Sequence, residues 1–454
     1  MQYFSRYFKP LLLSILLIIV GCGGGDDDDS NASNDPPVDT RPFLMGSTPF
    51  FTSHDGSNAT FPDWRFENLN DRDLISLHVD DFWGVPWDYC DATSCANLPQ
   101  TWVEQWQQLA DSAHATSKPL YLTISPLGDR KVLAPNVLSD GTTHPNWNTN
   151  IDSEGCYQFA TDDRAENYKA SYIAYLKYLV DLVNPDYMSP AVEMNMPFTS
   201  CPQQKAAWIS WYNDLYSALK EAYPQLVVFP TFQLDYIYGN TNEPSAECAP
   251  GAMADCFDRR LLEVLEIAGD RIAFSTYPSG WVYHGDFNHS FPRDTLSKVA
   301  QATSRKIWIS ETGWLAEPLL SSYQHSTDGS CGSEILPATL EIQGLGTIDV
   351  ANETAQNAYM TWLLESAKEN NLEAVVWWLN RDYLDDAVTG DGVCPCAPSG
   401  NSTCLLLDDF YTAGGDYIEG LLRLFGNMAL RRYDGTPRPA WTTWQAYLKK
   451  TYQP

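Results

Sequence analysis

Lys306-Ile307-Trp308-Ile309-Ser310-Glu311-Thr312-Gly313-Trp314 is the stretch on which the fold turns. An apolar, β-prone run leads into a glutamate, and a glycine follows two residues on. The run Met188-Ser189-Pro190-Ala191-Val192-Glu193 likewise leads into a glutamate. A helix-like stretch follows each run. Outward from these two, further β-prone segments read at 43–47, 74–80, 119–124, 226–232, 271–276 and 373–379. Helical periodicity falls between them at 101–116, 163–183, 203–222, 258–268, 293–303 and 353–370. The stretch 203–222 puts Trp208, Trp211, Tyr212, Leu215 and Leu219 on one face. Helices near 417–430 and 441–450 would close the chain. Strands alternating with helices predict an α/β fold, a (β/α)8 barrel of TIM type. The first unit is irregular, because no convincing helix separates the first two strands. A parallel barrel brings all strand ends to one face, so Glu193 and Glu311 are expected to meet there.

Long segments at 81–100, 125–160, 233–257, 277–292, 312–350 and 380–416 follow the strand ends. They are rich in Gly, Pro, Asp and aromatic residues, and they predict a deep cleft on the C-terminal face. Eleven cysteines are present. Close spacing suggests Cys90–Cys95 and Cys248–Cys256, and Cys156–Cys201 is compatible with them. Pairing among Cys331, Cys394, Cys396 and Cys404 stays open. A zinc site lacks the paired CxxC or HExxH spacing that it would need.

At the N-terminus, Arg6 and Lys9 precede an apolar run from Leu11 to Val20. That run is shorter than the roughly 20 residues of a membrane span and predicts an export signal. Ile19-Val20-Gly21-Cys22 resembles a bacterial lipobox, which makes Cys22 the expected lipidated first residue. Residues 1–22 thus read as a lipoprotein signal peptide and 23–41 as a flexible acidic tether. Residues 42–454 read as one barrel domain. The expected location is the bacterial cell envelope, with membrane attachment through the lipid alone. The formal net charge is −30, from 28 Lys and Arg against 58 Asp and Glu. Such a surface repels nucleic acid and polyanions. A basic patch around Arg130 and Lys131 is the one exception in view. There is no GxSxG elbow, phosphate loop or dinucleotide fingerprint.

The motifs resemble those of the large clan of retaining TIM-barrel glycosidases, which includes endo-1,3-glucanases, endo-1,4-galactanases, mannanases and cellulases. Ser310-Glu311-Thr312-Gly313-Trp314 is similar to the nucleophile strand of 1,3-glucanases. Tyr277-Pro278 and Trp377-Trp378 stand where that clan has a nucleophile-binding tyrosine and a tryptophan under the reacting sugar. The ending Asp434-Gly435-Thr436-Pro437-Arg438-Pro439-Ala440-Trp441 is similar too. The resemblance implies Glu311 as nucleophile, Glu193 as acid/base, and no metal or organic cofactor. One departure stands out. The clan has Asn before the acid/base, and this chain has Val192; Asn195 would share a face with Glu193 on an extended strand and take over the sugar contact.

Substrate contacts are expected from Tyr277, Trp378, Asn195, His78, Asp80, Trp83, Trp314 and Asn380. His78 could instead be a packed barrel histidine, and Asn380 could pin a loop. Trp281 and His284 are further loop candidates. The expectation is a monomeric, endo-acting retaining β-glycosidase on a neutral polysaccharide, with 1,3-glucan ahead of 1,4-galactan. Two other readings are a non-catalytic glycan-binding lipoprotein, suggested by Val192, and a transglycosylase using the same two glutamates.

Overall fold

The computed structural model describes residues 39–49, 69–145, 147–238, 253–278, 293–317, 339–342, 346–349, 352–382, 425–432 and 434–454. The signal segment, Cys22 and the tether as far as Val38 lie outside the described residues.

Nine strands form one parallel sheet: β1 (Leu44–Thr48), β2 (Leu74–Asp80), β3 (Leu120–Ile124), β4 (Tyr187–Ser189), β5 (Val227–Val228), β6 (Thr231–Gln233), β7 (Arg271–Thr276), β8 (Lys306–Thr312) and β9 (Ala374–Trp378). Their order is β5-β4-β3-β2-β1-β9-β8-β7-β6. The sheet curls so that its two end strands are neighbours in the chain. Only Phe229 and Pro230 separate β5, which pairs with Tyr187 and Met188, from β6, which pairs with Ala273 to Ser275. Pro230 has no N–H to give to a ladder, which accounts for the interruption.

Among the described residues, the helices of eight or more residues are α1 (Gln100–His114), α2 (Ala165–Val183), α3 (Lys205–Ala222), α4 (Met253–Leu265), α5 (Thr295–Ala302), α6 (Glu353–Glu369) and α7 (Pro439–Leu448). Each overlaps a stretch of predicted helical periodicity. On α3 the predicted face is the buried one, with Trp208, Trp211, Tyr212, Leu215 and Leu219 all inside. Asn352 starts α6 by accepting a hydrogen bond from the Ala355 amide at 2.7 Å. Asn184 ends α2 in the left-handed conformation.

Two expected strands differ. The one read at 188–194 stops at Ser189. Pro190 restricts the chain and Glu193 has φ 48°, so turns carry residues 190–196. The one read at 226–232 is split at Phe229-Pro230.

Strands covered on both faces read as continuous apolar runs, and these do. Inside the curl, Leu44, Leu74, Tyr121, Phe229, Ala273 and Trp308 form a separate apolar cluster, distinct from the sheet–helix core. Trp308 is its centre, with ring centroids 4.6 Å from Tyr187, 5.1 Å from Phe229 and 5.3 Å from Tyr121. Burying a side chain of this kind contributes about 2–3 kcal/mol. Above this floor the buried residues turn polar. Along β2, Leu74 gives way to Ser76, His78 and Asp80; along β3, Tyr121 gives way to Thr123 and then Ser125. The C-terminal ends of the strands therefore open on a polar chamber with an apolar floor.

Disulfide Cys90–Cys95 forms as the spacing suggested, and Cys156–Cys201, which was compatible with it, forms too. Cys256 is also disulfide-bonded, while Cys248, Cys331, Cys394, Cys396 and Cys404 lie outside the described residues.

Candidate active site

Glu311 sits one residue before the end of β8. A bulge at Ser310 shifts the register, so that Glu311 lies opposite Ser275 of β7. Bulges re-aim side chains next to functional sites. The Tyr277 hydroxyl donates a hydrogen bond to Glu311 Oε1. His78 Nδ1, from β2, lies 3.2 Å from Glu311 Oε2. Burial pushes the Glu311 carboxyl above its ordinary range and Glu193 adds to this, while His78 and Tyr277 pull the other way. Burial and the Glu311 charge push Tyr277 far up, so its hydroxyl keeps its proton and remains a donor.

Glu193 reaches the same chamber from the turn after β4. Its amide donates to Thr231 Oγ1 at 2.8 Å, which ties the turn to β6. Its Oε1 accepts from Ser275 Oγ at 2.7 Å, and its Oε2 accepts from Arg130 Nη2 at 3.2 Å and Nε at 3.3 Å. Ser275 thus faces Glu311 in register and binds Glu193 with its side chain.

Asp80 completes the constellation. It takes both arms of Arg130, at 3.0 and 2.8 Å, and its Oδ2 lies 3.8 Å from His78 Nε2. Burial would raise Asp80, but Arg130 and His78 outweigh it and hold Asp80 down to about 2. Burial would lower His78, but the Glu311 and Asp80 carboxylates on its two sides raise it. The chain Glu311–His78–Asp80–Arg130–Glu193 therefore alternates acid and base around the chamber wall. Next to it, burial and Asp80 push Asp81 up to about 7.

Trp378, at the end of β9, stands edge-on to His78 with centroids 5.1 Å apart. Its neighbour Trp377 faces the other way, fully buried, with its indole N–H donating to Met428 O at 2.9 Å.

The structure brings together Glu193, Glu311, Tyr277, His78, Asp80 and Trp378. Four other expected contact residues are placed elsewhere. Asn195 does not share an extended strand with Glu193. Its amide is spent on Gln233, donating to the carbonyl at 2.9 Å and accepting from the N–H at 2.7 Å. Trp83 is buried against Trp106, with centroids 4.8 Å apart. Trp314 is wholly buried, 5.1 Å from Tyr359. Both are packing residues, since a ring inside the sheet–helix core has no free face for a sugar. Asn380 is buried and accepts from Arg431 Nη2 at 3.0 Å, which pins a loop. Trp281 and His284 lie outside the described residues.

Sequence reasoning missed Ser275, Thr231 and Asp235 and did not foresee the role of Arg130 at Glu193. Asp235 accepts from the Tyr277 amide at 3.0 Å and from Gln233 Nε2 at 2.8 Å, fixing where Tyr277 leaves β7. The clustering of polar residues just past β-prone runs was the only signal for them. Among the described residues, no group of three or more His, Cys, Asp or Glu side chains is arranged to hold a metal ion.

No family model and no curated protein matches the sequence. Solved structures do resemble the fold. A GH5_18 protein from Bifidobacterium longum subsp. infantis superposes with a TM-score of 0.50 at 12% identity, covering 91% of this chain and 80% of that one. An exo-beta-1,4-mannosidase from Opitutaceae bacterium strain TAV5 gives 0.48 at 12% identity, over 90% of this chain and 60% of that one. A family 39 glycoside hydrolase from Bacteroides cellulosilyticus WH2 gives 0.46 at 13% identity, over 91% and 66%. At such identities the likeness is one of fold.

Proposed function

We propose that this chain is a retaining β-glycosidase on a (β/α)8 barrel whose fifth strand is the split segment of β5 and β6. The observation that carries the reading is the pair of differently served carboxylates at Ser275. Glu311 has a permanent hydroxyl donor in Tyr277 and a basic ring in His78. Glu193 has Ser275 and Arg130. Two carboxyl groups with separate environments on one face suit double displacement.

Glu311 attacks the anomeric carbon while Glu193 gives its proton to the departing glycosidic oxygen. The glycosyl–Glu311 ester forms as the C–O bond to the leaving alcohol breaks. Glu193 then takes a proton from the water that hydrolyses the ester. Tyr277 and His78 favour the charged form of Glu311 and aim it, against the pull of burial. The Trp378 ring offers an apolar edge beside the reacting sugar.

The chamber holds Asp80, Asp81, Glu193 and Glu311 against His78 and Arg130, and the net charge of the chain is −30. Both features favour a neutral glycan. The long loops after the strands favour endo action, and the N-terminal signal with Cys22 favours a lipid-anchored place in the cell envelope. The test is a panel of β-glucans, galactans, mannans and xylans followed by reducing-end assay. Glu311→Ala should be inactive on the cleaved polymer and regain turnover with azide, giving a glycosyl azide of inverted configuration. Glu193→Ala should lose most activity on natural linkages. Wild-type rates in Glu311→Ala, or no release from any polymer, would refute the reading.

A further inference from the structure

Among the described residues, Arg130 is the basic side chain that hydrogen-bonds Glu193, and its surroundings are built rather than incidental. Its guanidinium spans two carboxylates, with both arms on Asp80 and the Nη2–Nε edge on Glu193. The side chains are 16%, 6% and 14% exposed for Arg130, Asp80 and Glu193. All three residues have left-handed backbones, with φ 57°, 54° and 48°, and so does Asp129 beside Arg130, at 47°. Such conformations are strained in a non-glycine residue and persist where the surroundings impose them. A hairpin, Leu127–Gly128 with Val132–Leu133, holds the Arg130 turn. The Cys156–Cys201 disulfide staples the loop bearing Arg130 to the segment that follows Glu193. Two strained turns from separate loops are thus fastened so that one guanidinium meets one carboxylate.

We propose that Arg130 is the positioning residue of the proton donor: it aims Glu193 and holds the charge that appears there when the proton leaves. The inference rests on the glycosidase reading above. As the glycosidic C–O bond breaks, the proton moves from Glu193 to the leaving oxygen, and Glu193 becomes an anion beside the glycosylated Glu311. Arg130 already contacts Oε2 and meets that new charge without moving. Asp80 is its resting partner, which neutralises the guanidinium while Glu193 carries its proton. A bidentate fork is needed because one cation serves two carboxylates, and an ammonium cannot span both in that geometry.

Aryl β-glycosides of the sugar that the wild-type protein cleaves provide the test, through kcat/KM, which reports the first bond cleavage. With a 4-methoxyphenyl leaving group, departure needs the proton. With 2,4-dinitrophenyl it does not. Arg130→Gln should lose about 10²-fold on the first, as expected when a catalytic group is misaimed, and little on the second. Arg130→Lys, which keeps the charge and stem, should recover part of the loss. It also keeps the test open if the Gln variant does not fold. Equal losses on both leaving groups would make Arg130 a merely structural residue and overturn the proposal, as would no loss on either. A wild-type protein inactive on aryl glycosides and polymers alike would remove the glycosidase reading, and the proposal with it. An active wild type with an insensitive Arg130 removes the proposal alone.

Discussion

Replacing Tyr277 by Phe deletes one hydroxyl and nothing else, and the structure says what should follow. That hydroxyl donates to Glu311 Oε1 in a site where both groups are buried. A hydrogen bond to a buried charge contributes about 1.5–3 kcal/mol. At 1.36 kcal/mol per tenfold, its loss corresponds to a roughly 10- to 150-fold fall in kcat/KM near neutrality. The sign of the pH effect follows from the same bond. Burial raises Glu311 and the Tyr277 hydroxyl counteracts it, so removing the hydroxyl lets the carboxyl rise further. On the proposed mechanism Glu311 must be ionised to attack, so the acid limb of the kcat/KM profile should move to higher pH. The assay is a pH profile of wild type and Tyr277→Phe on one activated aryl glycoside, which keeps the proton donor out of the measurement. An acid limb that stays in place, with activity close to wild type, would refute the assignment of Glu311 as the ionised nucleophile.

Three further outcomes are expected. Glu311→Gln should raise Tm by roughly 1–3 °C at about pH 8 and lose that gain near pH 4. The folded value of Glu311 is raised, so ionisation costs stability that sets in as pH rises through the unfolded value and is complete above the folded one; a Tm difference that is the same at both pH values would contradict this. Asn195→Ala should cost about 2–4 kcal/mol in denaturant unfolding, because it orphans both the N–H and the carbonyl of Gln233. Its activity should fall only as the fold loosens, and a selective loss of kcat with unchanged stability would restore Asn195 as a sugar contact. Removing the Cys156–Cys201 bridge, whose sequence separation is 45, should cost about 4 kcal/mol on the chain-entropy estimate and slow turnover by loosening Glu193. A Cys156→Ser/Cys201→Ser variant with wild-type melting and rates would show that the two loops hold without it.

The sequence by itself determined the alternation of elements, and with it the face on which Glu193 and Glu311 meet. Strand and helix periods are local, set by which side chains must be buried every second or every third and fourth residue. The runs ending in Glu311, Asp80 and Trp378 therefore became strands within a residue of their expected bounds. Chemistry written into one position was legible too: Tyr277 lies on Glu311, and a cysteine pair five apart closes its own loop. Tertiary structure decided everything that needs two distant segments at once. Trp83 and Trp314 look like loop aromatics in sequence, yet helices pack over them. Asn195 was assigned by strand alternation, and a left-handed turn at Glu193 broke that alternation. Arg130 meets Glu193 only because a hairpin, a disulfide and a curled sheet bring residues 63 apart within hydrogen-bond reach. No local pattern encodes such a meeting, because the pairing that offsets the desolvation of two opposite charges exists only once the fold has formed.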